Sequence, residues 1–203
     1  MVVLTGGPGG GKSSLIEDLR HDPRWAGRFV CLPEATHYAR FVNISPDERL
    51  FQRLAVHLQV ALEDGLDRAL GPEDLRPIIC HRGSLDPLAF WRQRGWPEHE
   101  FFQFTATTRE AHYARYAAVL HLVTAADGVP REYTRWPLAH RPEEPDEAIR
   151  LDRWLAEAWG RHPAYVRLDN AGRDWTAKSG EARRVLSALL ARNPDCGAAS
   201  ALP

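Results

Sequence analysis

Lys12 closes a run of small residues, Gly6-Gly7-Pro8-Gly9-Gly10-Gly11-Lys12-Ser13, that fits the spacing G-x-x-x-x-G-K-S/T. The chemistry of that spacing is phosphate binding. Glycines let a loop turn tightly and aim successive backbone N–H groups at phosphate oxygens. A helix beginning at the end of the loop adds the partial positive charge of its N-terminus. Lys12 can then reach the β- and γ-phosphates of a bound ATP or GTP, and the Ser13 hydroxyl can ligate Mg²⁺. Ser14 extends the same cradle. The flanks suit the motif: an apolar run at 2–4 precedes it, and a helix-like stretch at 14–19 follows.

Other residues that could do chemistry follow apolar runs. Glu34 stands just after residues 29–32, where a carboxylate would face the γ-phosphate as a general base toward a hydroxyl or as part of the magnesium shell. His81-Arg82-Gly83-Ser84-Leu85-Asp86 follows residues 77–80. Arg82 can pair with phosphate or orient Glu34 through its fork of donors. Ser84 can cap the next helix, and Asp86 either stabilises that helix's first turn or takes part in catalysis. His37, Tyr38 and Arg40 would line a substrate pocket beside Glu34, or form a helical surface. Asp169 and Asn170 end the last apolar run, where they either border the purine ring or make a turn. Residues 125–145 lack clear periodicity and hold Arg131, Arg135 and Arg141. A lid closing over the nucleotide would use such arginines to neutralise charge on the transferring phosphoryl group.

The elements that must position these groups alternate. Strand-like runs at 2–4, 29–32, 77–80, 118–123 and 165–168 are short and apolar, as buried parallel strands are. Helix-like segments at 46–70, 86–94, 98–116, 146–161 and 175–192 separate or follow them. In the first, Leu50, Leu54, Leu58, Ala61 and Leu62 mark the expected apolar stripe. Trp91, Trp96, Trp154 and Trp159 are expected in the core. The fold expected is α/β, a three-layer P-loop kinase-like domain with a five-stranded parallel sheet and a lid, over residues 1–192, with a frayed tail at 193–203. Ligands then bind at the carboxyl ends of the strands.

Composition narrows the function. The chain has 203 residues, 26 basic and 27 acidic side chains and a net charge of −1, so neither nucleic acid nor a membrane is an expected partner. No apolar run approaches the ~20 residues of a membrane span. Because the phosphate loop starts at residue 6, no signal peptide is expected. Cys31, Cys80 and Cys196 have no metal or redox spacing, which suits a reduced cytoplasmic setting. The oligomeric state is not legible.

Taken together, the strings LTGGPGGGKSSL, LPEA, HRGSLDPLAF, VLHLVTAADG and HRPEEPDEAIRLDRWLAEAW through HPAYVRLDN resemble the AAA-type P-loop domain found at the N-terminus of the TRPL translocation defect protein, loosely related to the ribosylnicotinamide kinase domain of NadR. The resemblance spans about the first 190 residues. It implies a kinase-like fold with ATP or GTP bound at Gly6 to Ser13, and it marks Arg141 and Asp86 as family positions. Relatives usually carry Asp where this chain has His81. A neutral imidazole does not replace that charge, although it can accept a hydrogen bond from metal-bound water. Glu34 or Asp86 then supplies the carboxylate, or His81 handles a proton from the acceptor, or catalysis is weakened. The expected function is phosphoryl transfer from ATP or GTP, with Mg²⁺, to a hydroxyl of a small molecule such as a nucleoside, ribosylated metabolite or sugar-bearing natural product. The alternative is a GTP- or ATP-binding switch or slow NTPase acting through a protein partner.

Overall fold

The structure, a computed structural model, describes residues 1–39, 41–42, 47–135 and 143–191. The elements run β1 (Val2–Thr5), α1 (Lys12–His21), β2 (Val30–Leu32), α2 (Thr36–Ala39), α3 (Glu48–Leu70), β3 (Ile78–His81) and α4 (Asp86–Gln93). They continue with α5 (Glu98–Thr105), α6 (Arg109–Ala114), β4 (Ala118–Leu122), α7 (Pro130–Arg135), α8 (Pro145–Trp159), β5 (Tyr165–Leu168) and α9 (Trp175–Ala191). The strands form one five-stranded sheet in the order β2-β3-β1-β4-β5, and every pairing is parallel. β1 is central, so the loop after it opens in the middle of the carboxyl edge.

Successive strand residues point to opposite faces, and each face has its own core. Val2 and Leu4 pack with Leu15 and Leu19 of α1 and Leu186 of α9. Val3 and Cys80 pack on the other side with Val56 of α3, Trp91 of α4 and Trp159 of α8. The three inner strands β3, β1 and β4 are buried on both faces, which is why they read as nearly continuous apolar runs, whereas the edge strands β2 and β5 are only partly covered. Among the described residues no helix is long and apolar enough to cross a membrane.

Three expectations change. The helix expected over 98–116 is two helices. Ala106 adopts a left-handed conformation (φ 55°) that ends α5, and the Thr108 side chain accepts the Ala111 N–H to start α6. The stripe of α3 is rotated: Leu50 and Ala61 are exposed, and Ala55, Val56, Gln59 and Glu63 face inward. Two polar residues replace part of the apolar line because partners await them. Gln59 Nε2 donates to Glu63 Oε1 (2.8 Å) and to the carbonyl of Arg82 (3.3 Å), and Glu63 accepts from the Tyr116 hydroxyl (2.6 Å). Ser84 does not cap α4, whose N-cap is Leu85; its hydroxyl lies 2.8 Å from His112 Nδ1 instead. Trp91 and Trp159 are fully buried, as expected. The tail at 193–203 lies outside the described residues.

His112 makes this core sensitive to acid. Its other nitrogen, Nε2, lies 2.9 Å from the Thr107 hydroxyl, and burial, then Arg115 and Arg109, lower its pKa from 6.5 to about 4. The unfolded chain therefore binds the proton first, and stability falls as pH drops from 6.5 toward 4. Between pH 6.5 and 5 this one group accounts for a loss of about 2 kcal/mol. Urea unfolding at pH 7 and pH 5 is expected to show the loss. The variant His112→Asn is expected to be less stable at pH 7 and to lack that part of the pH dependence; an unchanged dependence would contradict the assignment.

Candidate functional site

The phosphate loop is pressed against the end of β4. A Cβ on Gly6 would lie 2.0 Å from the carbonyl oxygen of Leu122, and one on Gly10 would lie 2.3 Å from the same oxygen. Gly6 also sits at φ 123°, which side chains avoid. Lys12 is the first residue of α1 and is buried, and its Nζ donates back to the carbonyls of Gly6 (2.7 Å) and Gly7 (2.9 Å). Burial, then Arg82, lower the Lys12 pKa to about 7, against the pull of Glu34, Asp86 and Asp152.

The back of the loop is held by a residue that the sequence reading missed. Asp152 of α8 accepts on Oδ1 from the Gly7 N–H (2.7 Å), the Thr124 N–H (3.1 Å) and His121 Nε2 (3.0 Å). With the ring hydrogen on Nε2, His121 Nδ1 accepts from the Tyr165 hydroxyl at 3.0 Å. Burial opposes ionisation of Asp152, but His121 and the two amides more than offset it and keep its pKa low. A signal existed: Asp152 stands in line with Ala148, Leu155 and Trp159, the buried face of α8. An acid on an apolar stripe needs a partner.

On the other side of β1, Glu34 follows β2, His81 ends β3 and Arg82 comes directly after it. Arg82 takes φ 74°, and its N–H bonds the Leu4 carbonyl at 3.0 Å. Its Nη1 donates to Asp86 Oδ2 at 3.1 Å, and its Nε lies 3.2 Å from Glu34 Oε1. The Thr36 hydroxyl also donates to Glu34 Oε1. Burial alone would raise the Glu34 carboxyl; Arg82, Thr36, His81 and Lys12 more than reverse this and hold it at about 2. His81 Nε2 lies 3.0 Å from Ser13 Oγ, and its Nδ1 lies 3.6 Å from Glu34 Oε2. Burial, then Lys12 and Arg82, lower the His81 pKa to about 3, so the ring is neutral.

Among the described residues, the buried side-chain polar atoms without a hydrogen bond are His81 Nδ1 and Arg82 Nε. Both lie beside the Glu34 carboxylate. Each faces that carboxylate, Arg82 Nε as an ion pair at 3.2 Å and His81 Nδ1 at 3.6 Å, so the charge of Glu34 rather than a hydrogen bond is their partner. They border a cavity of about 520 Å³ between the phosphate loop and α3, lined also by His37, Phe51, Gln52 and Phe90. That volume suits a small organic molecule. Among the described residues no group of three or more His, Cys, Asp or Glu is placed to hold a metal ion. A cation at Ser13 would therefore take most of its ligands from phosphate and water.

The structure thus brings together Lys12, Ser13, Ser14, Glu34, His37, His81 and Arg82 around one cavity. Asp86 stays behind it: its carboxylate is filled by Arg82, the Thr5 hydroxyl (2.9 Å) and Trp159 Nε1 (2.7 Å), so of these two acids it is Glu34 that faces the cavity. Tyr38 is exposed on α2 and is not among the residues lining the cavity, which fits the helical-surface alternative rather than the pocket one. Asn170 is buried, and its amide is bonded within the protein rather than aimed at a ligand, while Asp169 makes the expected turn by accepting the Ala171 N–H at 3.2 Å. Arg131 is exposed on α7 and does not line the cavity. The Arg135 side chain, Arg40 and Arg141 lie outside the described residues, as do residues 136–142 of the expected lid; within the rest of it, Pro130–Arg135 forms α7.

A family model described as AAA domain matches residues 1–175. No curated protein matches the chain in sequence. Among solved structures, deoxyadenosine kinase from M. mycoides, with the products dCMP and a flexible dCDP bound, superimposes with a TM-score of 0.62 at 12% identity, covering 92% of this chain and 98% of that one. At that identity the likeness is one of fold, and the fold is that of a P-loop kinase.

Two measurements test this geometry. A bound triphosphate holds Lys12 charged, whereas the free group loses its proton near pH 7. At pH 8, nucleotide binding is therefore expected to take up about one proton, and affinity to weaken as pH rises further. Calorimetry in buffers of different ionisation enthalpy reads this, and an absence of uptake would contradict a depressed Lys12. Asp152→Ala strands three donors and is expected to cost about 3 kcal/mol in urea unfolding, whereas Asp152→Asn, which keeps an acceptor oxygen, costs less.

Proposed function

Because the chain belongs to the AAA domain family, we propose that it is a P-loop kinase that transfers the γ-phosphoryl group of ATP or GTP to a hydroxyl of a small molecule. The observation that carries this reading is the ionised Glu34 carboxylate facing the cavity beside Lys12. A switch protein has no need of an acceptor cavity walled by an acid.

Each group has a role in the transfer. Backbone amides of the loop and Lys12 hold the phosphates. Ser13 would offer its oxygen to Mg²⁺: with the His81 hydrogen on Nδ1, Nε2 accepts a hydrogen bond from the Ser13 hydroxyl, whose oxygen would then remain free to ligate a cation. Mg²⁺ bound there would neutralise charge developing on the phosphates. Glu34 Oε1 is occupied by Thr36 and Arg82, and Oε2 is turned toward His81 and the cavity. The acceptor hydroxyl donates to Oε2; as its oxygen bonds to the γ-phosphorus and the bond to the β-phosphate oxygen breaks, its proton passes to the carboxylate. A carboxylate held near 2 is a weak base. It suffices because the transition state is loose and the proton leaves late, so orientation matters more than basicity.

Phe51 and Phe90 give the cavity apolar walls, and Gln52 and His37 give it polar contacts. That mixture suits a flat ring carrying a sugar hydroxyl. The fold likeness to a deoxyadenosine kinase makes nucleosides the first acceptors to try, ahead of ribosylated metabolites and sugar-bearing natural products. One observation favours the switch or slow NTPase: His81 is neutral and brings no charge to the cation.

Labelled ATP or GTP with Mg²⁺ and a panel of nucleosides separates the readings. Acceptor-dependent transfer is expected, with Lys12→Ala abolishing it and weakening nucleotide binding. Glu34→Gln is expected to lower kcat by about 10²- to 10³-fold with the KM for the nucleotide unchanged. Nucleotide binding without acceptor-dependent turnover would favour the switch, and full activity in Lys12→Ala would remove the phosphate loop from the mechanism.

A further inference from the structure

The sheet order gives a bound triphosphate a direction, on the reading that the loop holds a nucleotide. Glu34, His81 and Arg82 lie on the β2–β3 side of β1, and so does the cavity. A γ-phosphate presented there leaves the α-phosphate, ribose and base to run the other way, toward β4, β5 and the start of α9. Trp175 is the first residue of α9. Its ring is seated on the phosphate loop: a Cβ on Gly11 would lie 2.2 Å from Cζ3 and 2.6 Å from Cη2. Yet Trp175 remains 37% exposed, far more than the buried Trp91 and Trp159. The other large hydrophobic side chains exposed among the described residues, Tyr38, Phe41, Val42 and Leu50, cluster around α2 and the start of α3, on the acceptor side. Trp175 is thus an open aromatic surface on the side where the base emerges.

We infer that Trp175 is the stacking platform for the base of the phosphoryl donor, and that the donor site accepts purine nucleoside triphosphates by stacking rather than by reading the edge of the base. The neighbouring polar groups carry the second half. Asn170 Nδ2 donates to the carbonyls of Thr124 (2.7 Å) and Asp127 (2.6 Å), and its Oδ1 accepts from Lys178 Nζ (2.7 Å). Lys178 Nζ also donates to the Val123 carbonyl at 2.6 Å, and Arg173 is paired with Glu181. These groups tie loops together and are not left to distinguish adenine from guanine. Every base has a π-face, so stacking tolerates either purine, and the larger purine ring gains more contact than a pyrimidine.

Calorimetric titration of the wild type, Trp175→Ala and Trp175→Phe with ATP, GTP, CTP and inorganic tripolyphosphate, each with Mg²⁺, tests the inference. For the wild type, ATP and GTP are expected within about threefold of each other and CTP weaker. Trp175→Ala is expected to weaken ATP and GTP alike by about tenfold, to leave tripolyphosphate unchanged, and to be largely rescued by Trp175→Phe. ATP and GTP binding to Trp175→Ala as tightly as to wild type would overturn the platform. Loss of tripolyphosphate binding in that variant would reduce Trp175 to packing against Gly11, and a wild-type preference of orders of magnitude between ATP and GTP would overturn edge-blind recognition. Failure of the phosphate-loop reading itself looks different: neither the nucleotides nor tripolyphosphate would bind the wild type.

Discussion

The phosphate loop has almost no space of its own, and the rest of the site depends on that constraint. Leu122, the last residue of β4, places its carbonyl oxygen where side chains of Gly6 and Gly10 would otherwise stand. Glycine is therefore needed here for close approach as much as for turning. The approach is held from two directions. Asp152 takes the Gly7 N–H at the back, and Lys12 takes the carbonyls of Gly6 and Gly7. With the Gly6 and Gly7 carbonyls occupied and its flank against β4, the loop is fixed before any anion arrives, and preorganised donors of this kind need little rearrangement on binding.

The same economy of space governs the charges. Three buried or nearly buried carboxylates surround the loop and the end of β3, and each has its own set of partners, with Arg82 shared by two of them. Asp152 serves two amides and a histidine, Asp86 serves Thr5, Trp159 and Arg82, and Glu34 serves Thr36 and Arg82 while facing the cavity. Arg82 joins the last two. Its unusual φ of 74° is held by the bond from its own N–H to Leu4 and by Gln59 on its carbonyl, so the backbone is constrained on both sides of the residue. The depressed Lys12 follows from this crowding: it sits buried near a second cation, and a phosphate anion is the partner that would restore its charge.

The legible parts of the sequence are those set by local pattern. The strands and the phosphate loop declared themselves through apolar runs, glycines and one lysine, and the parallel sheet followed from alternation. Glu34 and Arg82 were legible because each comes directly after a strand. What escaped was set by distant partners. Gln59 and Glu63 rotate α3 away from its most apolar line because Tyr116, Arg115 and the Arg82 carbonyl lie on that side. The break between α5 and α6 turns on a left-handed Ala106 and a capping Thr108, a local signal that the surrounding helix-like composition hides. Asn170 matched a ligand reader equally well until Thr124, Asp127 and Lys178 were placed around it.

Helix α8 shows how these separate pieces become one site. Asp152 and Trp159 are seven residues apart, two turns along the same buried face. The first binds the phosphate loop through Gly7, and the second donates to Asp86, which holds Arg82 against Glu34. The phosphate loop and Glu34 are thus referenced to a single rigid element, at points about 10 Å apart along its axis. Trp159 also fills the space where a side chain on Gly83 would stand, 2.7 Å from that Cβ position, so the turn carrying Arg82 cannot shift without moving the helix. The residues just before α8 belong to the segment expected to act as a lid, and Tyr133 of α7 donates to the carbonyl of Glu143 at its near end. That bond ties α7 to the residues that lead into the helix on which the phosphate loop and the turn carrying Arg82 both rest.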